Sequence, residues 1–314
     1  MQGYSTLTAI QRESSPGVLQ GTACAIAGRK TVWIGKQELG QYSRLNMARM
    51  INATGALFGS HELVIEHDLQ LDPAFLKTVM WAVGHEFDEY QSSATVVASG
   101  ESGDVRTCAL LIRYEDGTQW SVNGAVLVAL ELTIQPRRLV SCRLAFGALT
   151  LTDITGQGIT WPTAPHRRPV SHLDAAIAMT TAAEWAGDPI NQRLDPVFGI
   201  TFRFERDFAP ARFDESGTPA RWQLGYGWRA VGSMVTRIPD ATLWHQGLRS
   251  GFNGKIGALI RPLDQTGKFE LYCDAARLIA GGQDAIARQN INTSIEWTSY
   301  QSASSTPLRI AATF

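Results

Sequence analysis

From Glu62 to Asp72, apolar Leu63, Ile65, Leu69 and Leu71 alternate with polar Glu62, Glu66, Asp68, Gln70 and Asp72. A period of two predicts a strand with one apolar face and one acidic face. Further along, Leu110–Arg113, Gln119–Val122, Ala125–Gln135 and Leu139–Ala145 read as a meander of strands. Its turns fall at Glu115-Asp116-Gly117-Thr118 and Gln135-Pro136-Arg137-Arg138, where turn-forming residues collect. The second half predicts strands over Gly199–Phe208, Trp222–Arg237, Gly257–Ile260, Lys268–Tyr272, Ala275–Ile279, Ile286–Tyr300 and Leu308–Thr313.

Helix signals are few. Pro73–Val83 follows Asp72 and ends at Gly84, an Asp-Pro start and a glycine stop. His172–Ala186 is Ala-rich, amphipathic and followed by Gly187, and a short third helix is expected over Asp240–Leu248. Ser92–Gly103, Ala209–Ala220 and Ser302–Thr306 read as loops. Tyr42–Gly59 is neither apolar nor periodic and is expected to order only against a neighbour. The pattern predicts a mainly β architecture with a small packing helix per domain.

The second half also repeats the first. Leu110-Leu111-Ile112-Arg113, a glycine-containing turn and Trp120-Ser121-Val122 match Ala258-Leu259-Ile260-Arg261, Asp264-Gln265-Thr266-Gly267 and Phe269-Glu270-Leu271. Each copy then has an alanine (Ala125; Ala275), a long two-stranded stretch, and an apolar end at Leu144-Ala145-Phe146 or Ile295-Glu296-Trp297. Leu71–Leu76 has a looser partner in Ile238–Leu243. A period of this length implies two similar domains in tandem. Glycines and prolines cluster from Thr155 to Pro169, so the expected domains are 1–160 and 161–314.

Composition narrows the partners. The net charge of −1 gives no basic footprint for gripping nucleic acid. Cys24, Cys108, Cys142 and Cys273 are scattered and read as buried free thiols. Met1–Thr6 has no charged start before an apolar core, and no apolar run reaches the ~20 residues of a membrane helix. A soluble, cytoplasmically made chain is expected.

Catalytic and metal signatures are weak. His61-Glu62 and Glu66-His67-Asp68 do not form H-E-x-x-H, and on a strand His61 and His67 stand about 20 Å apart. Gly225-Tyr226-Gly227-Trp228 with Gly232 lacks the spacing of a dinucleotide loop, and Gly100-Glu101-Ser102-Gly103 is not a nucleophile elbow. Neither an enzyme, a cofactor nor a bound metal is expected. The best candidate is the acidic face of Glu62, Glu66, Asp68 and Asp72. Its plain reading is a solvated sheet face. The sharper one is a wall that repels the phosphate backbone and lets a duplex slide.

Taken together, several segments resemble the tail tube (major tail) proteins of long-tailed bacteriophages, in the tandem-domain branch that forms trimers. They are Tyr4-Ser5-Thr6 with Ser14-Ser15-Pro16-Gly17; Asn52 through Glu62, leading into the alternating strand; and Asp72-Pro73-Ala74-Phe75-Leu76 through Gly84. Tyr114-Glu115-Asp116-Gly117 through Ala125, and Ile295-Glu296-Trp297 through Ile310, complete the match. The resemblance spans most of the chain, but in degenerate patterns of residue type and order.

It implies two similar β-sandwich or half-barrel domains in tandem, each flanked by a helix. Three chains would close a pseudo-hexameric ring, and rings would stack into a tube in the virion tail. DNA would pass through the lumen without specific binding. Partners would be other copies and further tail proteins (tape measure, tail tip and terminator), with no membrane involved. Arg44, Asn46, Arg49, Arg212 and Asp214 lie in the loops expected between rings or subunits. Two other readings stand beside it: a β-rich adhesion module with an exposed aromatic patch around Trp222, Trp228 and Trp244, and a two-carboxylate β-sandwich hydrolase.

Overall fold

A computed structural model describes residues 6–15, 18–28, 30–37, 59–84, 93–97, 106–148, 152–163, 167–180, 185–193, 197–206, 208–213, 219–224, 228–236, 253–264, 266–286, 290–299 and 308–314. The first half holds strands β1 (Thr6–Ser15), β2 (Val18–Gly28), β3 (Lys30–Gln37) and β4 (Gly59–Asp68). Helix α1 (Pro73–Val83) follows, then β5 (Ser93–Val97), β6 (Thr107–Arg113), β7 (Gln119–Ile134), β8 (Ser141–Ala148) and β9 (Thr152–Asp153). The second half holds β10 (Ala175–Thr180), β11 (Val197–Glu205), β12 (Phe208–Phe213), β13 (Pro219–Leu224) and β14 (Arg229–Thr236). It ends with β15 (Asn253–Ile260), β16 (Lys268–Ile286), β17 (Asn290–Ser299) and β18 (Leu308–Thr313).

Sixteen of these strands belong to one antiparallel sheet, and β12 and β13 form a separate hairpin. Strand β7 is the hinge of the arrangement. Its first half pairs with β6, which leads on to β1 and β2, while its second half pairs with β8 on one edge and β11 on the other. Two bulges, opposite Cys108/Leu110 and at Leu127/Ala129, mark the change of partners; an extra residue at such points bends a strand and increases its twist. Strand β16 does the same work in the second half, pairing first with β15 and β18 and then with β17.

The apolar sides of these strands meet in one large core. Leu63 and Ile65 of β4, Leu127, Leu130 and Leu132 of β7, Phe202 and Phe204 of β11, and Trp297 of β17 all contribute buried side chains. Helix α1 covers part of it with Phe75, Leu76, Val79 and Met80. The helix forms as its sequence predicts: Asp72 caps it by accepting the Phe75 N–H at 3.1 Å, Pro73 opens it, and Gly84 closes it at φ 123°.

The expected helix over His172–Ala186 does not form. Ser171 and Asp174 make a capping box around a single 3₁₀ turn, His172–Asp174, and the backbone then extends at Ala175 into β10. The alanines that suggest a helix are small enough for Ala176 and Ala178 to pack beside Leu259 and Tyr272, while Ile177 enters the core. Pairing with β15 overrides helix propensity here. Trp222–Arg237 is likewise two strands rather than one, Ser92–Gly103 contains β5, and Ala209–Ala220 contains parts of the β12–β13 hairpin. The helix expected at Asp240–Leu248 lies outside the described residues.

Gly232 illustrates how tightly the second half packs. A Cβ built there would run into the Trp297 indole and the Thr201 carbonyl. Gly232→Ala is expected to destabilise the fold by about 1–3 kcal/mol, as overpacking does. Adding Trp297→Phe should recover part of the loss, which urea denaturation of the single and double variants measures.

Candidate functional site

Strand β4 lies between β3 and β8, so its position in the sheet is fixed on both edges. Leu63, Ile65 and His67 turn inward and are buried, leaving Val64, Glu66 and Asp68 on the opposite face. The registers carry that face across neighbouring strands. Glu66 lies opposite Arg143, Arg143 opposite Glu131, and Glu131 opposite Arg203, so charge alternates in sign over β4, β8, β7 and β11.

Much of this row is physically connected. Arg143 and Arg203 each place a guanidinium nitrogen 3.6 Å from the same Glu131 oxygen. Arg203 also lies 2.7 Å from Glu205, and Arg229 lies 2.6 Å from the other Glu205 oxygen. Beside this network, a second row reads Asp68, Ser141, Thr133, Thr201, Ser233 and Glu296, with four hydroxyls between two acids. On the network's other side, Val64, Val128, Ala129 and Ala145 form a small apolar cluster of their own.

The acidic face expected from β4 alone is therefore a mixed one. Glu66 and Asp68 share it. Glu62 takes its place opposite Gly147 in the register. Asp72 does not join them, because it lies beyond the strand and its side chain caps α1. The basic partners Arg143 and Arg203 and the hydroxyl row were not anticipated, although the predicted strands Ala125–Gln135, Leu139–Ala145, Gly199–Phe208 and Trp222–Arg237 carry them. Of the loop candidates, Arg212 lies in β12 opposite Arg221, and Arg44, Asn46, Arg49 and Asp214 fall outside the described residues.

His67 has no role on this face. Its ring is buried edge-on to Phe75 at 5.1 Å, with Nδ1 3.0 Å from the Asp68 carbonyl. Burial holds its pKa down at about 4, outweighing the raising influence of Asp68. Among the described residues, no group of three His, Cys, Asp or Glu side chains is placed to hold a metal ion. All four cysteines are free and buried, and burial raises the pKa of each thiol.

The same pairing scheme occurs twice in the chain. In the first half the strands run β3-β4-β8-β7, and in the second β11-β14-β17-β16. The bulge at Leu127/Ala129 recurs at Leu278/Ala280, and the partner residues Phe146/Ala145 recur as Trp297/Glu296, all 151 positions later. The bulge between Cys108/Leu110 and Ala125/Val122 recurs between Gly254/Ile256 and Ala276/Cys273. The registers therefore shift the repeat from its sequence matching: Leu110 corresponds to Ile256 and not Ala258, and Ala125 to Ala276 and not Ala275. Leu63, opposite Phe146, corresponds to Gly232, opposite Trp297. A larger ring faces a smaller neighbour, which offsets part of the difference in side-chain volume.

The two four-strand units are joined edge to edge. Residues Ala129–Ile134 of β7 pair with Ile200–Glu205 of β11, and the Glu131–Arg203 contact crosses that seam. No family model matches the chain, and no curated protein sequence matches it.

Two outcomes follow. Glu131→Gln removes the shared acceptor of two arginines, and a loss of about 1 kcal/mol that shrinks in high salt is expected; thermal denaturation across a NaCl series reads it. His67 is depressed in the folded state, so its stabilisation is complete above the unfolded pKa near 6.5 and is lost as pH falls toward 4. His67→Leu should flatten the fall in stability over that window by up to about 3 kcal/mol, seen in urea titrations at pH 7 and pH 4.

Proposed function

We propose that the chain is a structural, self-assembling subunit of a phage tail tube, in which three copies close a ring and rings stack around a DNA channel. The observation that carries this reading is the pair of four-strand units placed side by side, whose β7·β11 seam repeats one interaction that a ring would need at every unit boundary. Two tandem domains at residues 1–160 and 161–314 are part of the same reading. In it the two modules share one sheet instead of forming separate sandwiches.

Size supports three copies. Each chain supplies eight strands to such a wall, β3, β4, β8, β7, β11, β14, β17 and β16. At ~4.8 Å spacing and ~40° tilt, 24 strands give a backbone diameter of roughly 48 Å, and side chains reduce the opening to about 35 Å. Sixteen strands leave only about 20 Å, the width of a bare duplex without its hydration.

The face that would line the channel follows from what covers the other. The apolar side of the eight strands carries α1 and the core, leaving the side of Glu66, Arg143, Glu131 and Arg203 to the lumen. Arginines neutralised by adjacent carboxylates release no counter-ions to phosphate, so a duplex meets hydroxyls and paired charges and is not held. The residues predicted to act between rings, the further tail-protein partners and the virion location belong to this reading through the family resemblance. The adhesion reading has less support: Trp228 is buried, with Arg206 stacked 4.5 Å above its ring.

Negative-stain microscopy of concentrated pure protein tests the proposal. Rings or hollow tubes are expected, and dispersed single particles at high concentration would refute it. In assembled tubes, Glu66→Lys with Asp68→Lys should leave the wall intact but retain short duplex DNA at low salt and release it at high salt. Wild-type tubes should retain none.

A further inference from the structure

The repeat predicts more than a ring: it predicts which residues meet where two copies join. In the first unit, β7 is paired on one edge by β8, while its other edge takes β11. In the second unit, β16 is paired by β17 over Ala276–Ile286, and among the described residues no strand occupies its other edge beyond Arg277. At the far end of the wall, β3 pairs with β4, and no described strand occupies its other edge. The eight-strand wall is thus bounded, among the described residues, by the two half-seams of a junction it already contains once. Unpaired edges invite strand addition.

Corresponding positions follow from the registers. The second half of β7 maps onto β16 at +151 through the shared bulge, and β8 maps onto β17 at the same spacing. Through β8 and β17, β4 maps onto β14 at +169, with Leu63 on Gly232 and Ile65 on Met234. Through these in turn, β3 maps onto β11 at +169, with Val32 on Thr201 and Trp33 on Phe202. Strand β1 maps onto β10 by the same +169, since Ile10 and Met179 face the equivalent residues Leu110 and Ile256. Independent pairings agree on one superposition.

Resting on the ring reading above, we infer that Ala280–Ala285 of β16 pairs antiparallel with Thr31–Lys36 of β3 in a second copy of this chain, with Asp284 opposite Val32 and Gly282 opposite Ile34. These pairs are the images of Thr133 opposite Thr201 and Glu131 opposite Arg203. The two kinds of seam differ in what they can hold. Inside the chain, Leu130 and Leu132 lie opposite Phe204 and Phe202, all buried, and Glu131 is ion-paired to Arg203. Between copies, Gly281 falls opposite Gly35 and no opposite-charge pair takes the place of Glu131 and Arg203. The seam between copies is therefore held chiefly by main-chain hydrogen bonds, and the seam within each copy by side chains as well.

Paired cysteines read the register directly, because antiparallel partners bring Cα atoms to about 5 Å, within disulfide range. The four native cysteines are buried and do not compete. Thr133→Cys with Thr201→Cys is the control and should close within one chain on mild oxidation. Asp284→Cys with Val32→Cys should give covalent dimers and trimers as the main species in denaturing gels, from rings verified by microscopy. Asp284→Cys with Lys30→Cys or with Ile34→Cys, registers shifted by two, should stay monomeric. Rings that cross-link only through a shifted pair, or through none while the control closes, overturn the register and leave the ring reading standing. An absence of rings overturns both. A mixture of wild type with Gly282→Pro should lose ring formation in proportion to the variant, since proline removes a ladder donor; undiminished rings would also overturn the assignment.

Discussion

The main sheet takes its order from the antiparallel pairing of β7 with β11. That pairing merges strands from both halves of the chain into one sheet, so neither half has its own closed edge there. It also fixes the lateral order of eight strands and hence which side chains share a face. The buried Leu132–Phe202 and Leu130–Phe204 neighbours beneath it set its register on the core side. The Glu131–Arg203 contact does so on the other side. A slip of one residue would exchange these faces, placing charge in the core and aromatic rings in water.

The polar face is a product of that register and not of any single strand. Read alone, β4 offers acids; read across the sheet, its acids belong to rows that also contain arginines and hydroxyls. Glu131 contacts arginines from the strands on both sides, Glu205 contacts Arg203 of its own strand and Arg229 of β14, and such partly exposed pairs contribute modestly to stability. Their larger effect is on the field. A face of alternating paired charges has little potential beyond a Debye length of ~10 Å, unlike the acidic wall that the β4 sequence alone suggests.

What the sequence made legible follows from how local each determinant is. Helix α1 was readable because Asp72, Pro73 and Gly84 act within one turn of its ends. Strands β6, β7, β8 and β18 were readable because their alternation and turns are local too. Strands β1, β2 and β3 are hard to read because the segment Thr6–Gln37 is rich in small residues and lacks clean alternation; β1 and β2 form a local hairpin, but β1 and β3 also take partners, β6 and β4, from farther along the chain. The His172–Ala186 segment misled for the opposite reason. A genuine capping box starts it, but the neighbouring edge of β15 claims the alanines. The mixed composition of the polar face was hidden because opposite neighbours such as Glu66 and Arg143 lie far apart in sequence.

Strands β7 and β16 are each unbroken, at 16 and 19 residues, and each serves two sets of partners along its length. The change of partner happens at a bulge inside the strand and not at a loop. No loop therefore separates the strands β1, β2 and β6 from the strands β4, β8 and β11 where β7 joins them. A load applied to the first passes along a continuous main chain into the second as a change of strand inclination. Deformation between the two groups of strands is thus carried by β7 and β16 themselves, through bulges that bend each strand without breaking it.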